Sequence, residues 1–160
     1  MGRVSQVENV TGGSGNDVLV GNSFGNILIG GPGNDTITGG AGRSLLIGGT
    51  GSDVITGGSG DDIVISGTTS FDANHTALTA ILSEWQRTDK TYAQRIADLR
   101  NGGGLNGANK LIAGTTVHDD GVADTLTGGA GLDWFFANLG PGGVLDHITD
   151  RNNGGSETVN

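Results

Sequence analysis

The chain of 160 residues has no cysteine, only two prolines and few basic residues. Without thiols it has no disulfide framework and no thiolate metal centre, so any covalent-like staple must come from other chemistry. Eight Lys and Arg face 17 Asp and Glu, for a net charge of -9. That balance argues against nucleic acid and against an anionic membrane as partners. No apolar run is long enough to span a membrane, and no basic stretch is followed by the apolar segment of a cleaved leader. If Met1 is the natural start, export must use another signal; if the chain is a fragment, the signal lies elsewhere. Catalytic motifs are missing too. His75, His118 and His147 stand far apart and none belongs to an H-E-x-x-H. There is no G-x-S-x-G elbow, and no lysine and helix follow the glycines as a phosphate loop requires. We expect no catalytic residues, no organic cofactor and no enzymatic activity. What the chain does have is glycine, 33 residues of it. In an irregular sequence this would suggest disorder, but here the spacing is regular.

Six nine-residue units run without a gap from Gly12 to Ile65: GGSGNDVLV, GNSFGNILI, GGPGNDTIT, GGAGRSLLI, GGTGSDVIT and GGSGDDIVI. The first six positions of each read as a turn and the last three as a strand. Glycine at positions 1, 2 and 4 allows main-chain carbonyls to converge. Converging carbonyls with a carboxylate at position 6 suit calcium, which takes six to eight oxygens at about 2.3 to 2.6 Å. Position 8, which is Leu19, Leu28, Ile37, Leu46, Ile55 and Val64 in turn, is the inward residue of each strand. With so little to bury, no unit folds alone, and stacking is obligatory.

Two units per coil place units n and n+2 over one another at about the 4.8 Å strand spacing. Asp17, Asp35 and Asp53 then form one acidic ladder, the edge expected to hold calcium. The opposite edge reads Asn26, Ser44 and Asp62, preceded by Glu8 if residues 3–11 are a degenerate leading unit. Arg43 brings a positive charge there, so direct hydrogen bonds from Asn, Ser and Arg are expected in place of metal. The outward positions divide in the same way. Val18, Val20, Thr36, Thr38, Val54 and Thr56 make a mixed face, whereas Ile27, Ile29, Leu45, Ile47, Ile63 and Ile65 make an aliphatic patch too large to leave in water.

A cover follows immediately. Over residues 74–101 the period becomes helical, with Ala77, Leu78, Ile81, Leu82 and Trp85, then Tyr92, Ile96 and Leu99, on recurrent faces. The pattern predicts a helical hairpin, with Thr88 or Asp89 capping the second helix and Gly102 to Gly104 stopping it. The hairpin is expected to lie on the aliphatic patch; the alternative is that the patch meets another subunit. Weaker repeats resume with GLNGANKLI (104–112), DDGVADTLT (119–127), GGAGLDWFF (128–136) and PGGVLDHIT (141–149), which put Asn109, Asp124, Asp133 and Asp146 at the acid position. His118-Asp119-Asp120-Gly121 reads as a calcium loop beside a surface histidine rather than as an imidazole and carboxylate pair. The fold class predicted is an all-β solenoid, a parallel β-roll with an inserted α-helical hairpin. We expect one domain: repeats over 3–72, the hairpin over 74–101, a degenerate block over 104–149 and a tail over 150–160.

The units match the pattern G-G-x-G-x-D-x-U-x, and together with ILSEWQRTDKTYAQRIADLRNGGG and DHITDRNNGGSETVN they make the chain resemble the carboxy-terminal module of large secreted bacterial proteins with repeats-in-toxin, or hemolysin-type, calcium-binding repeats. The resemblance implies folding outside the cell when calcium binds, after export through an uncleaved carboxy-terminal signal. It implies calcium at Asp17, Asp35 and Asp53, with carbonyls from the turns of Gly13, Gly15, Gly31, Gly33, Gly49 and Gly51, and at Asp62, Asp72, Asp124 and Asp133. Asn26, Ser44 and Asn109 depart from the pattern. Three roles stand at this point: an extracellular or cell-surface calcium-binding structural module; a subunit that assembles into a calcium-stabilised filament or matrix through the solenoid ends or the aliphatic face; or an accessory domain of a secreted enzyme or adhesin. None calls for nucleic acid or membrane insertion as a partner.

Overall fold

A computed structural model describes residues 8–141, 143–150 and 158–160. Eight strands come first: β1 (Asn9–Thr11), β2 (Val18–Val20), β3 (Ile27–Pro32), β4 (Thr36–Gly40), β5 (Leu45–Thr50), β6 (Val54–Gly58), β7 (Ile63–Ile65) and β8 (Thr68–Thr69). Two helices follow, α1 (His75–Trp85) and α2 (Tyr92–Asn101), and then β9 (Val117–His118), β10 (Thr125–Gly129), β11 (Trp134–Phe136), β12 (His147–Ile148) and β13 (Thr158–Val159).

Successive repeat strands alternate between two parallel sheets, ordered β1-β3-β5-β7-β11-β13 and β12-β10-β6-β4-β2. Ile27 pairs with Leu45 and Leu45 with Ile63, while Val18 pairs with Thr36 and Thr36 with Val54, the step of two units read from the sequence. After the helices the stack resumes in the same register, Val54 beside Thr125 and Ile63 beside Trp134. The leading unit's last residues form β1, Asn9 pairing with Ile27; residues 3–7 lie outside the described residues, as do 151–157 of the tail. A separate antiparallel pair, β8 with β9, closes the neck of the insertion.

The two apolar clusters correspond to the two sides of the first sheet. Leu28, Ile37, Leu46, Ile55, Val64, Leu126 and Phe135 fill the space between the sheets. On the outside, Ile27, Ile29, Leu45, Ile47, Ile63 and Ile65 are covered by Leu78, Ile81, Leu82, Trp85, Ile96 and Leu99 of the hairpin, with Trp134 and Phe136 alongside. The aliphatic patch is thus buried within the chain and offers no surface to a second subunit.

Two expectations are corrected. The cap of α2 is Thr91, whose hydroxyl accepts from Gln94 N while Gln94 returns a bond to the Thr91 N–H; this reciprocal box outcompetes Asp89, which pairs with Arg87. Residues 104–112 form no strand of either sheet. Asn106 and Asn109 each donate a side-chain bond to the other's carbonyl, at 2.7 and 3.0 Å, and Leu111 turns into the outer cluster.

Candidate metal centre along the turn edges

The acidic ladder is built by one repeated contact. Asp17 N donates to Asp35 Oδ1, Asp35 N to Asp53 Oδ1 and Asp53 N to Asp124 Oδ1, each at 2.7 Å, and Asp124 N donates to Asp146 Oδ1 at 3.0 Å. Each carboxylate therefore uses one oxygen to hold the coil before it. The other oxygen, Oδ2 of Asp35, Asp53 and Asp124, is buried with no hydrogen-bond partner. In Asp35 and Asp53 it lies against the first glycine of its own turn, where a side chain on Gly30 or Gly48 would overlap the carboxylate. Asp17, at the end of the ladder, is only half-buried, and its Oδ2 accepts from Gly13 N at 2.7 Å. Gly15, Gly31, Gly33, Gly49 and Gly51 take positive φ. The requirement is sharpest at Gly49, at φ 116°, where a side chain would also run into the Gly31 carbonyl.

The charge on this edge is uncompensated. Burial, reinforced by the charges of Asp35 and Asp120, pushes Asp53 up to about 6. Burial, with Asp146, Asp53 and Asp120 close by, pushes Asp124 up to about 8. No Lys or Arg forms a salt bridge with either among the described residues.

The second edge is held differently. Asn22 N donates to Asn26 Oδ1 at 2.9 Å, so an uncharged amide closes the turn that an aspartate closes elsewhere. Asn26 N donates to Ser44 Oγ at 3.2 Å and Ser44 N to Asp62 Oδ1 at 2.7 Å. The expected direct bonding by Asn, Ser and Arg is present. Arg43 Nε reaches Asp61 Oδ2 at 3.1 Å, and Arg95 Nη2 reaches the same oxygen at 2.6 Å. Burial would raise the Asp61 carboxyl, but the Arg95 bond, Leu132 N and Arg43 hold it below its ordinary value. Higher up, Asp62 N donates to Asp133 Oδ1 at 2.7 Å, and Asp62 Oδ2 is again buried and unpartnered. Burial, with Asp133 and Asp61 adjacent, pushes Asp62 up to about 8.

Of the acids singled out in the sequence, Asp17, Asp35, Asp53 and Asp124 share one ladder, and Asp62 and Asp133 share the other. Asp72 belongs to neither. Its carboxylate accepts from Thr69 N and Thr69 Oγ1 and closes the turn before α1, a local competition that Asp wins readily. Four other residues matter: Asp146, at a repeat acid position, and Asp120, in the loop read as calcium-binding, were legible in the sequence, whereas Asp61 and Asp150 were not singled out. Asp146 extends the first ladder. Asp61 anchors the two arginines, a pairing the eighteen-residue step from Arg43 would have revealed. Asp120 accepts from Gly51 N at 2.7 Å. Asp150 accepts from Gly128 N and Gly129 N, both at 2.8 Å, closing the last full turn of its edge.

A family model for the RTX calcium-binding nonapeptide repeat matches the chain over residues 11–46, 45–68 and 116–141, with four copies, and these segments cover more than half of it. The chain belongs to this family. Neither the curated proteins nor the solved structures include a match. The RTX repeat binds calcium, implies a parallel β-roll and is typical of secreted bacterial proteins. No described helix of this RTX chain is long and apolar enough to cross a membrane.

The residues present fit the ion. Hard oxygens line the turns, and buried carboxylate oxygens stand without a donor, which is costly unless a cation meets them. No group of three or more Asp, Glu or His side chains gathers as a metal cage among the described residues. A shell here would therefore draw on one or two ladder carboxylates and take the rest from turn carbonyls. Asp17, Asp35, Asp53 and Asp124 would hold calcium on the first edge, and Asp62 with Asp133 on the second. Calcium bound there supplies the positive charge that the buried carboxylates lack.

Proposed function

We propose that the chain is a non-catalytic structural module, a single solenoid β-roll that folds outside the cell when calcium neutralises its acidic edge. The observation that carries this reading is the row of buried, unpartnered Oδ2 atoms on Asp35, Asp53 and Asp124, on an edge without a salt-bridged cation among the described residues. Such a row is self-repelling until a cation arrives, so folding is linked to calcium by mass action. Where calcium is scarce the chain is poorly folded, and where it is plentiful the stack closes.

A second reading, end-to-end assembly, draws on the inward residues of the terminal strands. Val10 and Leu19 at one end, and Ile148 and Val159 at the other, are only partly buried against the inner core. Another copy stacked on either end would complete their cover. The test is a calcium titration followed by circular dichroism and light scattering on one sample. A cooperative gain of β signal with constant particle size supports the folding module. Growth of particles over the same calcium range favours assembly, and no structural response would overturn both.

A further inference from the structure

The turn at which the chain re-enters the stack after the hairpin differs from the others on its edge. In the earlier coils the fourth residue of the turn donates to a main-chain carbonyl of the next coil, Gly15 N to Pro32 O at 2.7 Å and Gly33 N to Thr50 O at 2.8 Å. At the next step the donor is Gly51 N, and the acceptor is a side chain, Asp120 Oδ2, at 2.7 Å. Asp120 occupies a repeat position that is glycine in units one, three and five, and its Oδ1 is fixed in turn by Val122 N at 3.0 Å. A full negative charge thus stands where the coils below present a neutral carbonyl.

Two further observations bear on the same turn. Asp53 and Asp124, which face each other across it through the Asp53 N to Asp124 Oδ1 bond, are 1% and 2% exposed, and each keeps a buried Oδ2 with no donor. Asp119 and Asp146 add their charges next to it, bridged by Asn138, whose Nδ2 donates to Asp119 Oδ2 and whose N donates to Asp146 Oδ2. No described Lys or Arg forms a salt bridge with any of these acids, in contrast to Asp61 on the other edge.

We propose that the re-entry turn, where ladder carboxylates of Asp53 and Asp124 and turn carbonyls would hold the ion and Asp120 adds a neighbouring charge, is the tightest calcium site of the chain and loads first, tying β10 to β6 and so fixing the return of the chain after the hairpin. This rests on the reading that the acidic turns bind calcium, and it ranks them. Affinity for calcium rises with the negative charge at the site and with its rigidity, and this turn has one charge more than those below it, on a side chain pinned at both oxygens.

The test uses the full chain freed of calcium by chelation and titrated with calcium in a calorimeter, with circular dichroism in parallel. D120N removes the charge and keeps one side-chain oxygen for Gly51 N, at the cost of the acceptor for Val122 N. Wild type should show a tight phase ahead of weaker ones. D120N should weaken that phase at least tenfold and leave the later ones in place, whereas D17N should weaken a later phase only. If D120N leaves the tightest phase unchanged, or if D120N and D17N shift a single transition equally, the ranking is wrong although calcium binding stands. If wild type binds no calcium at all, the ranking and the underlying reading fall together. Should D120N not fold in saturating calcium, D119N, which removes a neighbouring charge without touching Gly51, decides the matter: about threefold weakening of the tight phase supports the proposal, and no change overturns it.

Discussion

Replacing Asp35 by alanine should flatten the dependence of stability on calcium, whereas replacing Ser44, its counterpart on the other edge, should not. Ser44, itself fully buried, accepts from Asn26 N and donates to Gly42 O through Oγ, both at 3.2 Å. Removing it should cost about 2 kcal/mol, the usual penalty for taking an acceptor from a buried N–H, and the loss should be the same at every calcium concentration. Asp35 Oδ1 accepts from Asp17 N at 2.7 Å, a charge-assisted bond whose loss costs a similar amount. Asp35 also lies between Asp17 and Asp53 in the ladder and borders two turn-to-turn intervals. A site at a hundredfold excess over its dissociation constant contributes about 2.7 kcal/mol, so losing two removes about 5 kcal/mol in calcium and nothing in chelator. Denaturant unfolding at several free calcium concentrations separates the two contributions. Plotted against the logarithm of calcium, stability of the Ser44 variant should run parallel to wild type and that of the Asp35 variant should rise less steeply. Equal slopes for the two variants would refute the inequality of the edges.

With calcium removed, stability should fall as pH rises from about 4 to about 8. Asp53, at about 6, and Asp62 and Asp124, at about 8, all lie above the ordinary 3.8, so the folded state holds the extra protons. Their contribution is complete below the unfolded value and is lost as pH climbs through the folded ones; calcium requires the deprotonated form and should oppose the trend. Thermal melts in chelator whose midpoint rises with pH would contradict this. Trp85→Ala should cost about 4 kcal/mol, since the ring is fully buried on the outer sheet face and its Nε1 donates to Asp61 O at 2.7 Å. A loss below 1 kcal/mol in denaturant melts would mean that the hairpin is dispensable. Asp61→Asn should cost about 3 kcal/mol by stranding the buried Arg95, with calcium stoichiometry by calorimetry unchanged.

The stack was legible because its signals repeat. Nine-residue spacing located the strands from β2 to β7, and the step of two units located the Asp17, Asp35 and Asp53 ladder, since one inward residue per strand leaves few other registers. The change of period at Asn74 located the helices, and the contrast of Ile and Leu with Val and Thr on the outward positions located the sheet they cover. Signals that occur once were harder. GLNGANKLI kept the frame with Gly104, Gly107 and Asn109 in register, yet a single unit cannot show whether Leu111 points between the sheets or, as it does, toward the helices. Asp72 was given calcium by the resemblance alone, and its carboxylate is spent three residues back, on Thr69. Asp120 replaces a glycine, and only the loss of the carbonyl above Gly51 gives that replacement a purpose.

Where the hairpin rests also bears on why the second edge is poor in acids. Its polar groups address the turn carbonyls of that edge directly. Gln86 Nε2 donates to Arg43 O at 3.3 Å, Trp85 Nε1 to Asp61 O at 2.7 Å and Tyr92 OH to Asp133 O at 2.7 Å. Carbonyls given to side-chain donors are turned away from any metal, and a carboxylate left beside them would be buried without a counter-ion. Asn26 and Ser44 remove that difficulty at positions 6, and Arg43 with Arg95 resolves it for Asp61. On the first edge the corresponding side chains bond only along the stack, Asn34 N to Asn16 Oδ1 at 2.9 Å and Ser52 N to Asn34 Oδ1 at 3.0 Å. Among the described residues no helix side chain donates to a turn carbonyl there, and the acids persist. At Asn26 and Ser44 an uncharged sixth residue thus takes the place that a carboxylate and its cation take on the first edge, whereas Asp62 and Asp133, further along the same edge, keep the acid although Trp85 and Tyr92 bond the carbonyls beside them.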